Sequence, residues 1–144
     1  MAESAGNSGL LIVRLVSPDR LLLEATAEAV ELPSASGYLE ALYGAAPLLA
    51  ELGAGEVRLH GGSSGDQKFF VAWGFAEVLP ERVTILAETA LRPEEIDKAE
   101  ATKQLQDGEK AWQDAGDDPA KYKYANATMR EAAEKIASAE GTSL

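Results

Sequence analysis

Cysteine is absent from this 144-residue sequence, and histidine occurs once, at position 60. Disulfide frameworks, thiolate zinc sites and cysteine nucleophiles are thereby excluded, and so is a multi-histidine metal centre. Basic residues are scarce: 13 Lys and Arg stand against 24 Asp and Glu, a net charge of −11. A nucleic-acid binder needs a basic surface to displace phosphate counterions, and a polybasic membrane anchor needs clustered cations, so both classes are disfavoured. Long hydrophobic runs are missing too. The richest early one, Leu10 to Val16, is interrupted by Arg14 and falls far short of the roughly 20 apolar residues that span a bilayer. Met1 to Gly9 is small and polar without a basic residue. It lacks the marks of a signal or transit peptide and is expected to be a flexible N-terminus, residues 1–9.

What is present changes texture near Arg92. Residues 10–91 read as short strands broken by turns. Leu10–Val16 is a strand candidate closed by Ser17-Pro18-Asp19-Arg20. Leu21–Leu32 is expected as one longer strand, although its alternating alanines are poor strand formers. Pro33 to Gly37 reads as a loop. Val57-Arg58-Leu59-His60 alternates with period two, and Gly61 to Asp66 is a hairpin connection. Phe69–Trp73 and Phe75–Leu79 flank Gly74, where a bulge or bend is expected, and Arg82–Ala87 follows. Phe69, Val71, Trp73 and Phe75 share one parity and are core candidates. The pattern is that of a β-sandwich.

From Arg92 onward the spacing is helical. Pro93 suits a first helical position, and Glu94, Glu95 and Asp97 complement the positive end of the helix dipole. Ile96, Ala99, Leu105 and Trp112 form a thin apolar stripe that Gly108 weakens. After a break at Gly116-Asp117-Asp118, Asp118 can cap a second helix with Pro119 just inside it. Tyr122, Ala125, Met129, Ala132, Ala133 and Ile136 recur at helical spacing along that helix. The prediction is an α+β, mainly β chain: a sandwich over 10–91, then an antiparallel helical hairpin over 92–144. The alanine-rich stripes bury little apolar area, so docking of the hairpin is expected to be weak and reversible.

No catalytic constellation emerges. His60 has no Ser and acid arranged around it in the pattern, and Gly61 to Asp66 lacks the Gly-Lys-Ser/Thr of a phosphate loop. The acid pairs Glu94/Glu95 and Asp117/Asp118 sit at helix starts, where capping and dipole effects account for them. An interaction subunit is the reading these residues support. Its rivals are a small-molecule sensor, a hydrolase using paired acids, and a generic adaptor.

An ordered set of stretches carries a family resemblance. Leu15-Val16-Ser17-Pro18-Asp19-Arg20, Val30-Glu31-Leu32-Pro33, Ala46-Pro47-Leu48-Leu49, Gly74-Phe75-Ala76-Glu77-Val78 and Val83-Thr84-Ile85-Leu86-Ala87-Glu88-Thr89-Ala90 occur in this order. The chain resembles the epsilon subunit family of bacterial F-type ATP synthases. That resemblance implies a ten-stranded N-terminal β-sandwich and two C-terminal helices. It implies a non-catalytic rotor-stalk subunit that links the gamma subunit to the c-ring in proton- or sodium-driven ATP synthesis. It also implies a hairpin that reaches the alpha and beta subunits to inhibit hydrolysis, and a peripheral location on the cytoplasmic face of the inner membrane, held only through partners.

The resemblance assigns residues as well. The c-ring-facing loop of the family maps onto Tyr38, Glu40, Leu42, Tyr43 and Ala45, with Tyr38 in place of the usual acid, Tyr43 in place of proline and Ala45 in place of histidine. Trp73 occupies a position that is small in the family. The ATP-binding motif of some members maps onto Ile96-Asp97-Lys98-Ala99-Glu100-Ala101. Ile96 and Asp97 match, but Glu100 replaces the arginine and would repel phosphate. No cofactor is therefore expected. Lys121, Lys123, Arg130 and Lys135 are the candidate inhibitory cations, diluted by Glu131, Glu134 and Glu140.

Overall fold

The computed structural model describes residues 9–142. The segment expected to be a flexible N-terminus therefore lies outside the described residues, apart from Gly9. Eight strands are present among them: β1 Leu11–Val16, β2 Leu21–Ala27, β3 Ala29–Ser34, β4 Gly37–Leu42, β5 Leu48–Glu51, β6 Ala54–His60, β7 Gln67–Leu79 and β8 Arg82–Leu91. A 3-10 turn at Pro93–Glu95 leads to two helices, α1 Lys98–Gln113 and α2 Pro119–Glu140.

The strands hydrogen-bond in the order β2-β1-β8-β7-β6-β3-β4, with β5 also on β7. All neighbours are antiparallel except β1 and β8, which run parallel. The inner faces enclose one core that includes Leu11, Val13, Leu15, Val30, Leu32, Val57, Leu59, Phe69, Val71, Val83 and Ile85. This is the expected sandwich with eight strands instead of ten. Pairing between β7 and β8 runs through the bend at Trp73 without a change of register, so segments that Gly74 separates in the sequence form one strand.

Three local expectations are corrected. Leu21–Leu32 is two strands. The break falls at Glu28, and the chain crosses from the β1 side of the sheet to β6, where Ala29 faces His60. Pro33 belongs to β3 opposite Tyr38, which leaves only Ala35 and Ser36 as the turn, followed by Gly37 at φ +130. Trp73 and Phe75 are not core residues. Trp73 has φ +62 and is the only non-glycine with positive φ among the described residues, and Gly74 follows at φ +117. This left-handed pair rotates the strand and reverses which parity faces inward. Phe69 and Val71 point into the core on one side of the bend, Ala76 and Val78 on the other, and Phe75 is 53% exposed.

The helical region starts later than Pro93 alone predicts. Pro93 opens only the 3-10 turn, whereas Asp97 caps α1 by accepting the Glu100 N–H at 3.1 Å. Asp118 caps α2 through the Ala120 N–H at 3.0 Å, with Pro119 inside, as its sequence position indicates. The stripe predicted for the first helix is not the buried face. Ala99 and Trp112 are exposed, and Ala101 and Gly108 are buried. At Gly108 the helices pack closely: a Cβ there would lie 2.7 Å from Met129 Cγ and 3.2 Å from its backbone nitrogen.

Candidate functional site

The outer faces of the sheet hold the features that distinguish this chain, and strand register explains how they assemble. On one outer face Glu51, Phe75, Leu86, Val16 and Leu21 follow one another across β5, β7, β8, β1 and β2. Phe75, Leu86 and Leu21 are each about half exposed, at 53%, 55% and 48%. Apolar side chains side by side on a solvent-facing sheet mark a surface built to be covered. Sequence reasoning missed this row because it placed Phe75 in the core; the Trp73-Gly74 pair was the signal available.

The predicted c-ring-facing residues do not form one cluster. Tyr38, Glu40 and Leu42 share the outer side of β4, while Leu39 packs against the core. Tyr43, 45% exposed, lies in the loop after β4, between the exposed Leu42 at the end of that strand and the exposed Leu48 and Leu49 that open β5. Ala45 packs against the end of the core. Tyr38 lies about 16 Å from Tyr43 along the strand. Its hydroxyl accepts the Glu56 N–H at 2.8 Å, and Arg58 stacks over its ring at 5.2 Å.

A polar network crosses the other outer face. Glu31 lies opposite Arg58 on the β3–β6 ladder and accepts from its guanidinium at 3.3 Å. His60 Nε2 lies 2.7 Å from Glu31, and the two partners hold the Glu31 carboxyl below the usual carboxylate range, His60 chiefly. Arg58 Nε also donates to Glu56 at 3.2 Å. Glu56, 1% exposed, receives Ser138 Oγ–H from α2 at 2.8 Å. His60 is thus a half-exposed rim residue bound to a carboxylate, a partner that the sequence pattern did not show.

The hairpin lies over this side of the sheet, with α2 against β6 and β7. Trp73 Nε1–H donates to Glu131 at 2.8 Å. Between sheet and helices runs an open cleft of about 780 Å³ whose walls include Trp73, Tyr124, Glu88, Glu100, Asp107 and Glu131, with Lys103 as its only cation. Glu100, the residue in the arginine position of the ATP motif, therefore stands among three further carboxylates. Ile96 packs beside Phe70 and Asp97 is a helix cap. The two residues that match the ATP motif thus have structural work here.

The four candidate cations are dispersed along α2. Lys121, Lys123 and Arg130 are exposed. Lys135 is held beneath the helix, 3.1 Å from Glu131, 3.2 Å from Gln104 and 6.0 Å above the Phe70 ring. One acid of each pair has a partner or is a cap: Glu95 receives both terminal nitrogens of Arg20, at 2.6 and 3.1 Å, and Asp118 caps α2. Arg20 and the Arg92 N–H lower the Glu95 carboxyl to about 2. Among the described residues no three His, Asp or Glu are placed to hold a metal ion, and no helix is long and apolar enough to cross a membrane.

A β-sandwich with an uncovered apolar row, carrying a helical hairpin against β6 and β7, defines a two-part docking module. Comparison with known proteins places it further. Residues 10–93 match the family model for the β-sandwich domain of the ATP synthase delta/epsilon chain. Over 103 residues the chain is 47% identical to the ATP synthase epsilon chain of Koribacter versatilis, covering 71% of each. Over 100 residues it is 40% identical to that of Granulibacter bethesdensis, covering 69% of this chain and 74% of the relative. The fold is shared with a chain of the Euglena gracilis mitochondrial ATP synthase OSCP/F1/c-ring structure, at a TM-score of 0.74 and 20% identity, covering 88% of this chain and 79% of that one. It is also shared with a chain of the Tetrahymena thermophila mitochondrial ATP synthase central stalk/c-ring, at a TM-score of 0.62 and 16% identity, covering 92% and 96%. The chain belongs to the ATP synthase delta/epsilon chain family.

Proposed function

We propose that this chain is an epsilon-type subunit of the central stalk of an F-type ATP synthase, without catalytic chemistry of its own. In this reading the sandwich joins the gamma subunit to the c-ring, and the chain stays at the membrane only through these partners. The observation that carries the reading is the ordered match over residues 10–93 to a family whose sandwich is shared with central-stalk structures. The row Phe75-Leu86-Leu21 supplies an apolar surface for gamma. The tip around Leu42, Tyr43, Leu48 and Leu49 supplies the one for the c-ring.

ATP is not a ligand in this reading. Four carboxylates against one lysine in the cleft oppose a triphosphate. The hairpin regulates hydrolysis by offering Lys121, Lys123, Arg130 and, once freed, Lys135 to acidic segments of the catalytic subunits. Size-exclusion chromatography of the full chain with gamma from the same organism tests the central claim: a stoichiometric complex is expected, and its absence with folded gamma overturns it. Saturable Mg-ATP binding by calorimetry would overturn the reading of the cleft.

A further inference from the structure

The cleft between the sheet and the hairpin has walls of two kinds. Glu88 of β8, Glu100 and Asp107 of α1 and Glu131 of α2 supply carboxylates. Trp73 on the sheet side and Tyr124 on the helix side supply aromatic rings. Glu88 falls between Ala87 and Thr89, the partners of Gly74 and Ala72, and so stands beside Trp73. Glu100, Lys103, Gln104 and Asp107 recur at three- and four-residue spacing, so a single face of α1 forms one wall. Tyr124 is 69% exposed, which leaves its ring free to take a ligand.

The negative charge there is uncompensated. Glu131 is occupied by the Trp73 indole and by Lys135. The carboxylates of Glu88, Glu100 and Asp107 have no hydrogen bond or ion pair among the described residues, and Lys103 is the single cation on the walls. A cation placed between the walls gains from all of these carboxylates, whereas a triphosphate is repelled by them. Glu100, at the arginine position of the ATP motif, thus belongs to a cleft whose preference is the opposite of a nucleotide site.

The placement of the acids selects the kind of cation. No three of them among the described residues converge as a metal ion requires. Glu100 and Asp107 are two helical turns apart, about 10 Å along α1, and Glu88 stands across from them on the sheet. A point charge meets one or two of these groups, while a chain with spaced ammonium groups meets all three. The rings favour the same ligand, because an ammonium is attracted to an aromatic face and its methylene stem packs on apolar surface.

We propose that this cleft is a binding site for a linear polyamine, with its ammonium groups on Glu88, Glu100 and Asp107 and its methylenes against Trp73 and Tyr124. The site is a property of the isolated chain and does not rest on the stalk-subunit reading.

Calorimetry of the full-length chain with spermidine, at about 0.15 M salt to screen diffuse attraction, tests it. Saturable one-to-one binding is expected. In Trp112→Phe, which leaves Trp73 as the sole tryptophan, spermidine changes the emission over the same concentration range, and magnesium chloride does not. Glu100→Gln with Asp107→Asn weakens binding about tenfold or more, and Tyr124→Leu weakens it about threefold. Glu81→Gln with Glu109→Gln removes the same charge outside the cleft and leaves the affinity unchanged. All five positions are exposed, so the fold tolerates these changes. Absence of saturation, equal weakening by the two double variants, or magnesium acting like spermidine overturns the proposal. Failure to bind gamma would sink the stalk reading and leave these results standing.

Discussion

At the scale of single residues, two positions hold the backbone and the linker where they are. Gly74 sits at φ +117, and a Cβ there would run into the Leu86 carbonyl oxygen across the ladder. Gly74→Ala is expected to destabilise the sandwich by about 2–4 kcal/mol, read from denaturant unfolding. Glu95 is the other. Its carboxyl is lowered in the folded chain from 4.5 to about 2, by Arg20 first and the Arg92 N–H second. A depressed carboxyl contributes its stability above its ordinary value and loses it as pH falls through the folded one. The Arg20–Glu95 tether should hold above pH 4.5 and fail progressively toward pH 2. Carboxyl NMR should give a Glu95 midpoint near 2 that returns toward 4.5 in Arg20→Ala.

At the scale of elements, the two helices show how packing overrides pattern. Gly108 interrupts the apolar stripe of α1 in the sequence, and helix propensity counts it as a weak point. In the fold it is a buried contact that admits α2 at Met129. Gly108→Leu should push the helices apart and lower hairpin stability by about 1–3 kcal/mol. Far-UV circular dichroism should show helix lost at lower temperature, ahead of the β signal. The caps behaved as local chemistry dictates, because Asp97 and Asp118 need only their own next turn to act. Strand limits were less legible. Pro33 reads as loop by local propensity, yet its place in β3 depends on β4 pairing with it at Tyr38, a contact that propensity does not contain.

At the scale of the molecule, the sandwich is covered by the hairpin at β6 and β7 and leaves the row Phe75, Leu86 and Leu21 open. Phe75→Glu with Leu86→Glu changes two side chains that are more than half exposed, so the fold should tolerate both, with a change of about 1 kcal/mol or less. Co-elution with gamma should be lost, because two charges would be buried against an apolar partner surface. In a reconstituted complex, Lys121→Glu, Lys123→Glu and Arg130→Glu together should raise ATP hydrolysis if α2 meets acidic segments. An unchanged rate would remove the inhibitory role from these residues. The net charge of −11 makes this a local effect of α2, since charges beyond about a Debye length are screened.

The sequence by itself determined the classes of chemistry that are closed to this chain, through its lack of cysteine, its single histidine and its acid surplus. It also determined the division between strands and helices, the Asp118 cap and the family, because each of these is written in short spacings or in an ordered set of stretches. Tertiary structure alone decided which face is which. The inward parity of β7 reverses at Trp73 and Gly74, and only the β7–β8 ladder continuing through that bend sends Phe69 and Phe75 to opposite environments. It alone decided that Glu56, ordinary in an alternating strand, is buried under Ser138, 82 positions later in the chain. Side-chain environment depends on what crosses over a strand, and that partner is set by the path of the whole chain.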